Sequence, residues 1–231
     1  PKGIVSGDFY WMEFKNGVSY FSAVDCTGHG VPGGFVSMVG TNGLNRCVNE
    51  YNLTKPSDIL DRLTLLVQNA FKGRKDGMDM SICAYNKTTK TIEWAGALNP
   101  MFIVSNRELN ITSPGTEFKT LELGNNKYKL HDFKPNKQPV ANYDYSQPFT
   151  NHKIKIQTGD RIYLLTDGFP DQFGGPKGKK FMSKNLKKLL LENHSLSMNE
   201  MHELLNSTIE NWMNEANAEQ IDDICIFGVE I

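Results

Sequence analysis

Val18-Ser19-Tyr20-Phe21-Ser22-Ala23-Val24-Asp25-Cys26-Thr27-Gly28-His29-Gly30-Val31-Pro32-Gly33-Gly34 begins as an apolar run and ends as a glycine-rich turn, with a carboxylate at the junction. The run Val18 to Val24 reads as a strand. A strand that stops on Asp25 and passes into Gly28, Gly30, Gly33 and Gly34 puts a charge at a sheet edge and leaves backbone free to approach a ligand closely. The plain alternative is a strand-to-helix turn closed by an Asx bend. The placement of the other aspartates weighs between the two.

Upstream, Asp8-Phe9-Tyr10-Trp11-Met12-Glu13-Phe14 is aromatic-rich and strand-like. Lys15-Asn16-Gly17 separates it from the run at Val18, and Asn-Gly between two such runs is a strong hairpin signal. A two-residue loop at Asn16-Gly17, counted back along both strands, sets Asp8 opposite Asp25. Their Cβ atoms would then stand about 4.5–5.5 Å apart. Like charges so placed are destabilising unless one is protonated or a cation lies between them. Phe9, Tyr10 and Trp11 read as core or rim packing.

The bulk numbers bound the answer. At 231 residues the chain can bury a sizeable core. A net charge of −1 gives no electrostatic case for nucleic acid or an anionic membrane. Cys26, Cys47, Cys83 and Cys225 are widely spaced, and read as reduced thiols of a cytoplasmic protein rather than a disulfide framework or zinc site. No apolar stretch approaches the roughly 20 residues of a membrane span. The chain starts at Pro1 without Met, and is expected to be a fragment of a longer protein with a sensory or regulatory region upstream, which leaves room for a membrane anchor there.

After the glycines, residues 34–51 carry Phe35, Met38, Val39, Cys47, Val48 and Tyr51 near helical period, with Gly40 and Gly43 suggesting close packing. Pro56 to Lys72 is a cleaner helix, with Pro56 in its first turn and Ile59, Leu60, Leu63, Leu66, Val67, Ala70 and Phe71 on one face. Three strand signals follow, at 78–85, 91–95 and 101–105. Residues 106–151 give no reliable assignment beyond a surface excursion with some β-structure. Strand patterns resume at 152–157 and 161–166, the latter ending on Asp167-Gly168. Helices are expected from Ser183 and from the capping box Ser197-Met198-Asn199-Glu200, and a last strand over 224–231. Runs of like elements predict an α+β domain spanning 1–231, with helix pairs packed on an antiparallel sheet or sandwich.

Asp25 and Asp167 end strands, while Asp8 and Asp222 begin them. If each belongs to antiparallel neighbours, all lie on one edge of the sheet system. Asp-only clusters suit hard, oxygen-seeking cations such as Mg²⁺ or Mn²⁺. Two such ions about 3.5–4 Å apart clamp a phosphoryl group and acidify a water. That chemistry needs no Ser, Cys or His nucleophile.

Val5-Ser6-Gly7-Asp8-Phe9-Tyr10-Trp11, Asp25-Cys26-Thr27-Gly28-His29-Gly30-Val31-Pro32-Gly33, Asp76-Gly77-Met78-Asp79, Lys137-Gln138-Pro139, Thr166-Asp167-Gly168-Phe169-Pro170-Asp171-Gln172-Phe173-Gly174-Gly175 and Gln220-Ile221-Asp222-Asp223 together resemble the ordered motif series of the SpoIIE-type phosphatases. These are the bacterial branch of the PP2C-like (PPM) metal-dependent serine/threonine phosphatases. The resemblance covers nearly the whole chain. It implies an α/β/β/α four-layer fold, a central β-sandwich flanked by helix pairs, and two Mn²⁺ or Mg²⁺ ions. By resemblance, Asp25 bridges the ions, the Cys26 backbone carbonyl supplies a ligand, Asp8 sits beside the first ion or orients its waters, and Asp167 and Asp222 hold the other. Cys26 stands where many relatives have Gly, a change that a backbone ligand tolerates. Ala97 stands where eukaryotic-type relatives carry an Asp for a third ion, so a third site is not implied. No counterpart is evident for the phosphate-binding Arg that some relatives have near their N-terminus.

Other residues carry weaker readings. His29 is either a general acid or metal neighbour, or a structural hydrogen-bonding residue. Asp79, Asp171 and Asp223 are candidates for outer support of the metal ligands or for plain turn and scaffold roles. The lysines at 177, 179, 180, 184, 187 and 188 read as a solvated face or as an attraction for an acidic partner. The leading expectation is a protein serine/threonine phosphatase whose substrate is a phosphorylated protein, by resemblance an anti-sigma-factor antagonist or similar regulator, and whose domain is compatible with a homodimer. The alternatives are a non-catalytic PP2C-like binding module and a two-metal phosphohydrolase of a small phosphoester.

Overall fold

A computed structural model describes residues 1–142 and 146–231; residues 143–145, inside the stretch that the sequence leaves unassigned, lie outside the described residues. The Asn16-Gly17 turn starts the architecture. Both residues take positive φ, 51° and 77°, as a type I′ hairpin turn requires. Strands β1 (Phe9–Lys15) and β2 (Val18–Cys26) pair antiparallel without a break in register, from Lys15↔Val18 to Phe9↔Val24.

Helix α1 (Gly30–Asn45) follows, runs on through a π-helical turn at Arg46–Glu50, and leads to α2 (Pro56–Ala70). Three strands come next: β3 (Met78–Asn86), β4 (Thr91–Ala97) and β5 (Met101–Ser105). The stretch without a sequence assignment supplies β6 (Asn110–Ile111), β7 (Phe118–Leu121) and β8 (Lys129–Phe133). Then come β9 (His152–Lys155), β10 (Arg161–Leu165), the short α3 (Gly168–Asp171) and a hairpin of β11 (Phe173–Gly174) with β12 (Lys179–Lys180). Helices α4 (Ser183–Glu192) and α5 (Met198–Glu215) precede β13 (Ile226–Glu230). One sheet has the order β1-β2-β3-β4-β9-β6 and the other β13-β10-β5-β8-β7.

Alternation along the strands builds the layers. In β2, Tyr20 and Val24 face α1 and α2, while Phe21 and Ala23 face the opposite sheet. In β5 and β10, Met101, Ile103, Ile162 and Leu164 point between the sheets, while Phe102, Val104, Tyr163 and Leu165 pack under α4 and α5. Strands buried on both faces read as continuous apolar runs, which is why β5 and β10 show no alternation in sequence. The order is therefore helix pair, sheet, sheet, helix pair. Among the described residues no helix is long and apolar enough to cross a membrane, and all four cysteines are free.

The structure corrects three readings. Residues 106–151 are no mere surface excursion, because β8 is buried over Leu130–Phe133 and pairs with both β5 and β7. Its sequence hides this: Asp132 is buried but accepts Nζ bonds at 2.6 Å from both Lys134 and Lys187. Phe35 and Met38 lie on the open side of α1, and Tyr10 on the open side of β1; all three are exposed. The buried face of α1 is made instead by Gly33, Gly34, Val36, Gly40, Gly43 and Leu44, where Gly43 lets Leu63 of α2 come close and the other glycines admit Gly28, Val5 and Met78. The last strand starts at Ile226, leaving Ile224 and Cys225 in the extended lead-in.

Trp94 is fully buried between the sheets, edge-on to Phe133, and its indole N–H donates to Ser81 Oγ at 2.6 Å. Trp94→Ala should lower unfolding free energy by about 3–5 kcal/mol, read by chemical denaturation. A loss under about 1 kcal/mol would contradict the inter-sheet core.

Candidate metal centre

Asp25, next to last in β2, has a carboxylate on either side of it. Extended one step beyond Phe9↔Val24, the β1–β2 register brings up Asp8. On the other side β3 pairs Asp25 directly with Asp79. β10 crosses over β2 and β3 from the second sheet, and past its end Thr166 leads to Asp167, which opens α3. Asp222 lies in the lead-in to β13, the antiparallel neighbour of β10.

Close backbone crossings hold these ends together. A Cβ on Gly7 would stand 2.6 Å from the Gly28 carbonyl oxygen, and Gly33 meets the same carbonyl from the other side. Gly168 lies against the Asp223 carbonyl, where no side chain fits. The glycines thus serve backbone-to-backbone contact at the site's rim. Asp223 is buried, and its carboxylate accepts the N–H groups of Lys2 and Gly7, both at 2.7 Å. It ties the segment carrying Asp8 to the lead-in carrying Asp222. The Thr166 hydroxyl clips the same lead-in by accepting from Cys225 N–H at 2.9 Å and donating to Cys225 C=O at 3.3 Å.

A family model for stage II sporulation protein E (SpoIIE) matches residues 16–231. The chain belongs to the SpoIIE family. No curated protein matches it in sequence. Among solved structures it is similar to the SiaA PP2C domain of Pseudomonas aeruginosa, with a TM-score of 0.82 and 23% identity over 100% of this chain and 83% of that one. The PP2C phosphatase domain of SpoIIE from Bacillus subtilis, solved with a fragment of its regulatory domain, aligns with a TM-score of 0.68 and 16% identity over 99% of this chain and 59% of that one. RsbX in complex with magnesium aligns with a TM-score of 0.59 and 16% identity over 97% of this chain and 87% of that one. These likenesses establish the PP2C-type fold.

In this SpoIIE-family chain the carboxylates act strongly on one another. Asp25 is pushed up to about 9 by burial first, then by Asp8, Asp167, Asp79 and Asp222. Asp8 is raised to about 7 by burial, against a downward pull from the nearby Thr166 hydroxyl, with Asp223, Asp222 and Asp167 adding repulsion. That hydroxyl is already engaged by Cys225, so Asp8 Oδ2 is buried with no hydrogen-bond partner. Asp79 is raised to about 6 by burial and Asp167. Asp167 is raised by desolvation, then by Asp171 and Asp222, with a hydrogen bond from Asp25 and the charge of Lys180 working downward. Its surface is the most open of the set, which moderates the desolvation. The Cys26 thiol is buried and pushed far up, so it is no thiolate, and its side chain is an unfavourable target for oxidation.

Among the described residues no three His, Cys, Asp or Glu side chains form a ready-made ligand cage. The set is instead a group of crowded, part-buried carboxylates with an orphaned oxygen at Asp8. That arrangement fits a hard divalent cation, which keeps most of its waters and takes only one or two carboxylates directly. It lacks the Cys and His side chains of a structural zinc site.

Of the weaker candidates, Asp79 joins the group by register. Asp223 is engaged by backbone amides. Asp171 pairs with Lys180 Nζ at 2.8 Å. His29 is exposed, caps α1 without a side-chain bond, and meets Lys2 Nζ at 3.2 Å rather than a carboxylate. Sequence reasoning gave no role to Gln172. Fully buried, its amide donates to the Phe173 and Glu219 carbonyls and accepts from Ile221 N–H, which links the Asp167 loop to the approach to Asp222. Its place inside the quoted motif was the only signal.

A carboxyl raised above its unfolded value of about 4 stabilises the fold below that value and loses the contribution as pH rises through the folded one. With Asp79, Asp8 and Asp25 at about 6, 7 and 9, the metal-free protein should lose thermal stability from about pH 4 upward, most steeply below about pH 6 where all three contribute, and more gently up to about pH 9. Saturating Mn²⁺ or Mg²⁺ should restore it most at the alkaline end, as read by melting in chelator and in metal. A melting temperature in chelator that rises over this range would contradict the mutual approach of these aspartates.

Proposed function

We propose that the chain hydrolyses phosphoserine or phosphothreonine in a partner protein, using two Mn²⁺ or Mg²⁺ ions held at the aspartate edge. The observation that carries this reading is the position of Asp25, flanked by Asp8 and Asp79 and faced by Asp167, with its proton held up to about 9 when no cation neutralises the group. Family membership supports the reading, as does the description of RsbX as a magnesium complex. When bound, the ions would acidify a water for attack on phosphorus and offset the charge that grows on the phosphoryl oxygens.

The chain's own groups have distinct tasks in this account. Asp25 would be shared by the two ions. The Cys26 carbonyl and Asp8 would serve the first, with Asp8 free to orient waters through its otherwise unpartnered oxygen. Asp167 and Asp222 would hold the second. Asp223 is assigned a positioning role, since each of its oxygens already accepts a backbone N–H. Asp79 is outer support, opposite Asp25 on β3. No protein nucleophile is required. We further propose that residues 1–231 form one catalytic domain, that the substrate is a phosphorylated regulator such as an anti-sigma-factor antagonist, and that a regulatory region elsewhere in a longer protein sets the activity.

Asp25→Asn and Asp167→Asn should each lower kcat/KM on an aryl phosphate with Mn²⁺ by more than about 100-fold, beyond the loss typical of outer-shell partners. Chelator should abolish wild-type turnover. Activity that survives chelator or both substitutions would contradict the two-ion reading. A higher kcat/KM on a phosphoprotein than on small phosphoesters is expected, and the reverse order would contradict the protein substrate.

A further inference from the structure

We propose that Lys180 binds the substrate phosphate. The inference rests on the phosphoester reading of the aspartate edge and begins from its charge. Asp25 is under the influence of Asp8, Asp79, Asp167 and Asp222. Those five carboxylates outnumber the positive charges of two divalent ions, so a side-chain cation beside them would add to the ions' pull on an incoming phosphate dianion. Lys180 stands beside the group: its ammonium pairs with Asp171, whose N–H donates to the Asp167 carbonyl at 2.9 Å across α3.

The placement of Lys180 is built in. Phe173 and Lys180 are cross-strand partners in the β11–β12 hairpin, and the ammonium lies 5.9 Å from the Phe173 ring centroid. The hairpin is fixed at its base. Gly174 and Gly175 lie flat on Trp212, and Gly175 N–H donates to Trp212 C=O at 2.6 Å. The Gln172 carbonyl accepts from Trp212 Nε1 at 3.2 Å and from Phe181 N–H at 2.9 Å. Gln172 also joins this base to the loops of Asp167 and Asp222. The backbone under Lys180 is therefore fixed to the loops that carry Asp167 and Asp222, and its half-exposed ammonium rests on Asp171.

Lys180 is also available. Among the described residues its one ion pair is with Asp171 Oδ2 at 2.8 Å, and the two side chains are 41% and 42% exposed. A pair so open to water is worth at most about 1 kcal/mol, so a phosphate dianion can displace Asp171 at little cost. Two of the neighbouring lysines are committed elsewhere. The segment Phe173–Leu191 contains six lysines and no acidic residue; of these, Lys187 is held by the buried Asp132 and Lys188 by Glu192. Lysine, a mobile point charge, suits an anion that arrives and leaves with each turnover.

The test measures inorganic phosphate binding to Mn²⁺-loaded protein by calorimetry, alongside steady-state kinetics on an aryl phosphate, for wild type, Lys180→Gln and Lys180→Arg. Phosphate affinity should fall about tenfold or more in K180Q, the range for a hydrogen bond to a charged group, and recover substantially in K180R. KM should rise by a larger factor than kcat falls. Mn²⁺ affinity should stay within about twofold, as measured without substrate, which separates phosphate binding from a neutralising role toward Asp167. Wild-type phosphate affinity in K180Q, failure of K180R to restore it, or a parallel loss of Mn²⁺ affinity would overturn the proposal. A wild type that binds phosphate through Lys180 but turns over no phosphoester would sink the hydrolase reading and leave this one standing.

Discussion

Like charges gathered at one end of a β-sandwich are the constraint on which the rest of this structure depends. Asp8, Asp25 and Asp79 stand on successive neighbouring strands, and Asp167 and Asp222 arrive from the facing sheet. Nothing in folding favours such a gathering, because part-buried carboxylates repel and lose hydration. The fold opposes that cost with continuous antiparallel pairing through β1, β2 and β3, and with three apolar layers whose strands bury both faces. Close backbone crossings at Gly7, Gly33 and Gly168 then fix the ends. Strain concentrated where a ligand is expected, and supported by tight structure elsewhere, is the usual signature of a functional site.

The scaffold around the aspartates has an economy of its own. Asp223 and Thr166 are each adjacent to a proposed ligand, yet both spend their polar atoms on backbone. Gln172 does the same between the Asp167 loop and the approach to Asp222. Such fully satisfied polar residues hold separate chain segments in fixed relation, and so pre-set the spacing of carboxylates that would otherwise move apart. The lysine-bearing hairpin grows from the same base, which sets the Lys180 ammonium on Asp171, one turn of α3 from Asp167.

Much of this was legible in the chain, for physical reasons that differ by element. Asn16-Gly17 fixes both turn type and register, so the approach of Asp8 to Asp25 could be counted from sequence alone. The capping box at Ser197 and Glu200 marked the start of α5 because its chemistry is local. Asp79 was harder to weigh. Its register with Asp25 is set across two helices, with no short turn from which to count. β8 was missed because Lys129-Leu130-His131-Asp132-Phe133 looks like surface, and only the tertiary partners Lys134 and Lys187 make burial of Asp132 tolerable. The outward side of α1 misled in the opposite way: Phe35 and Met38 keep helical period with buried neighbours, but glycine rather than bulk makes the contact with α2.

The central claim is that Asp25 lies between two cations. Crystals grown with Mn²⁺ and measured at the manganese absorption edge test it most directly. The account predicts two anomalous peaks about 3.5–4 Å apart, one toward each oxygen of the Asp25 carboxylate, with Asp8 on one side and Asp167 and Asp222 on the other. A single peak, or peaks whose shared ligand is Asp79 or Asp223 instead of Asp25, would contradict it.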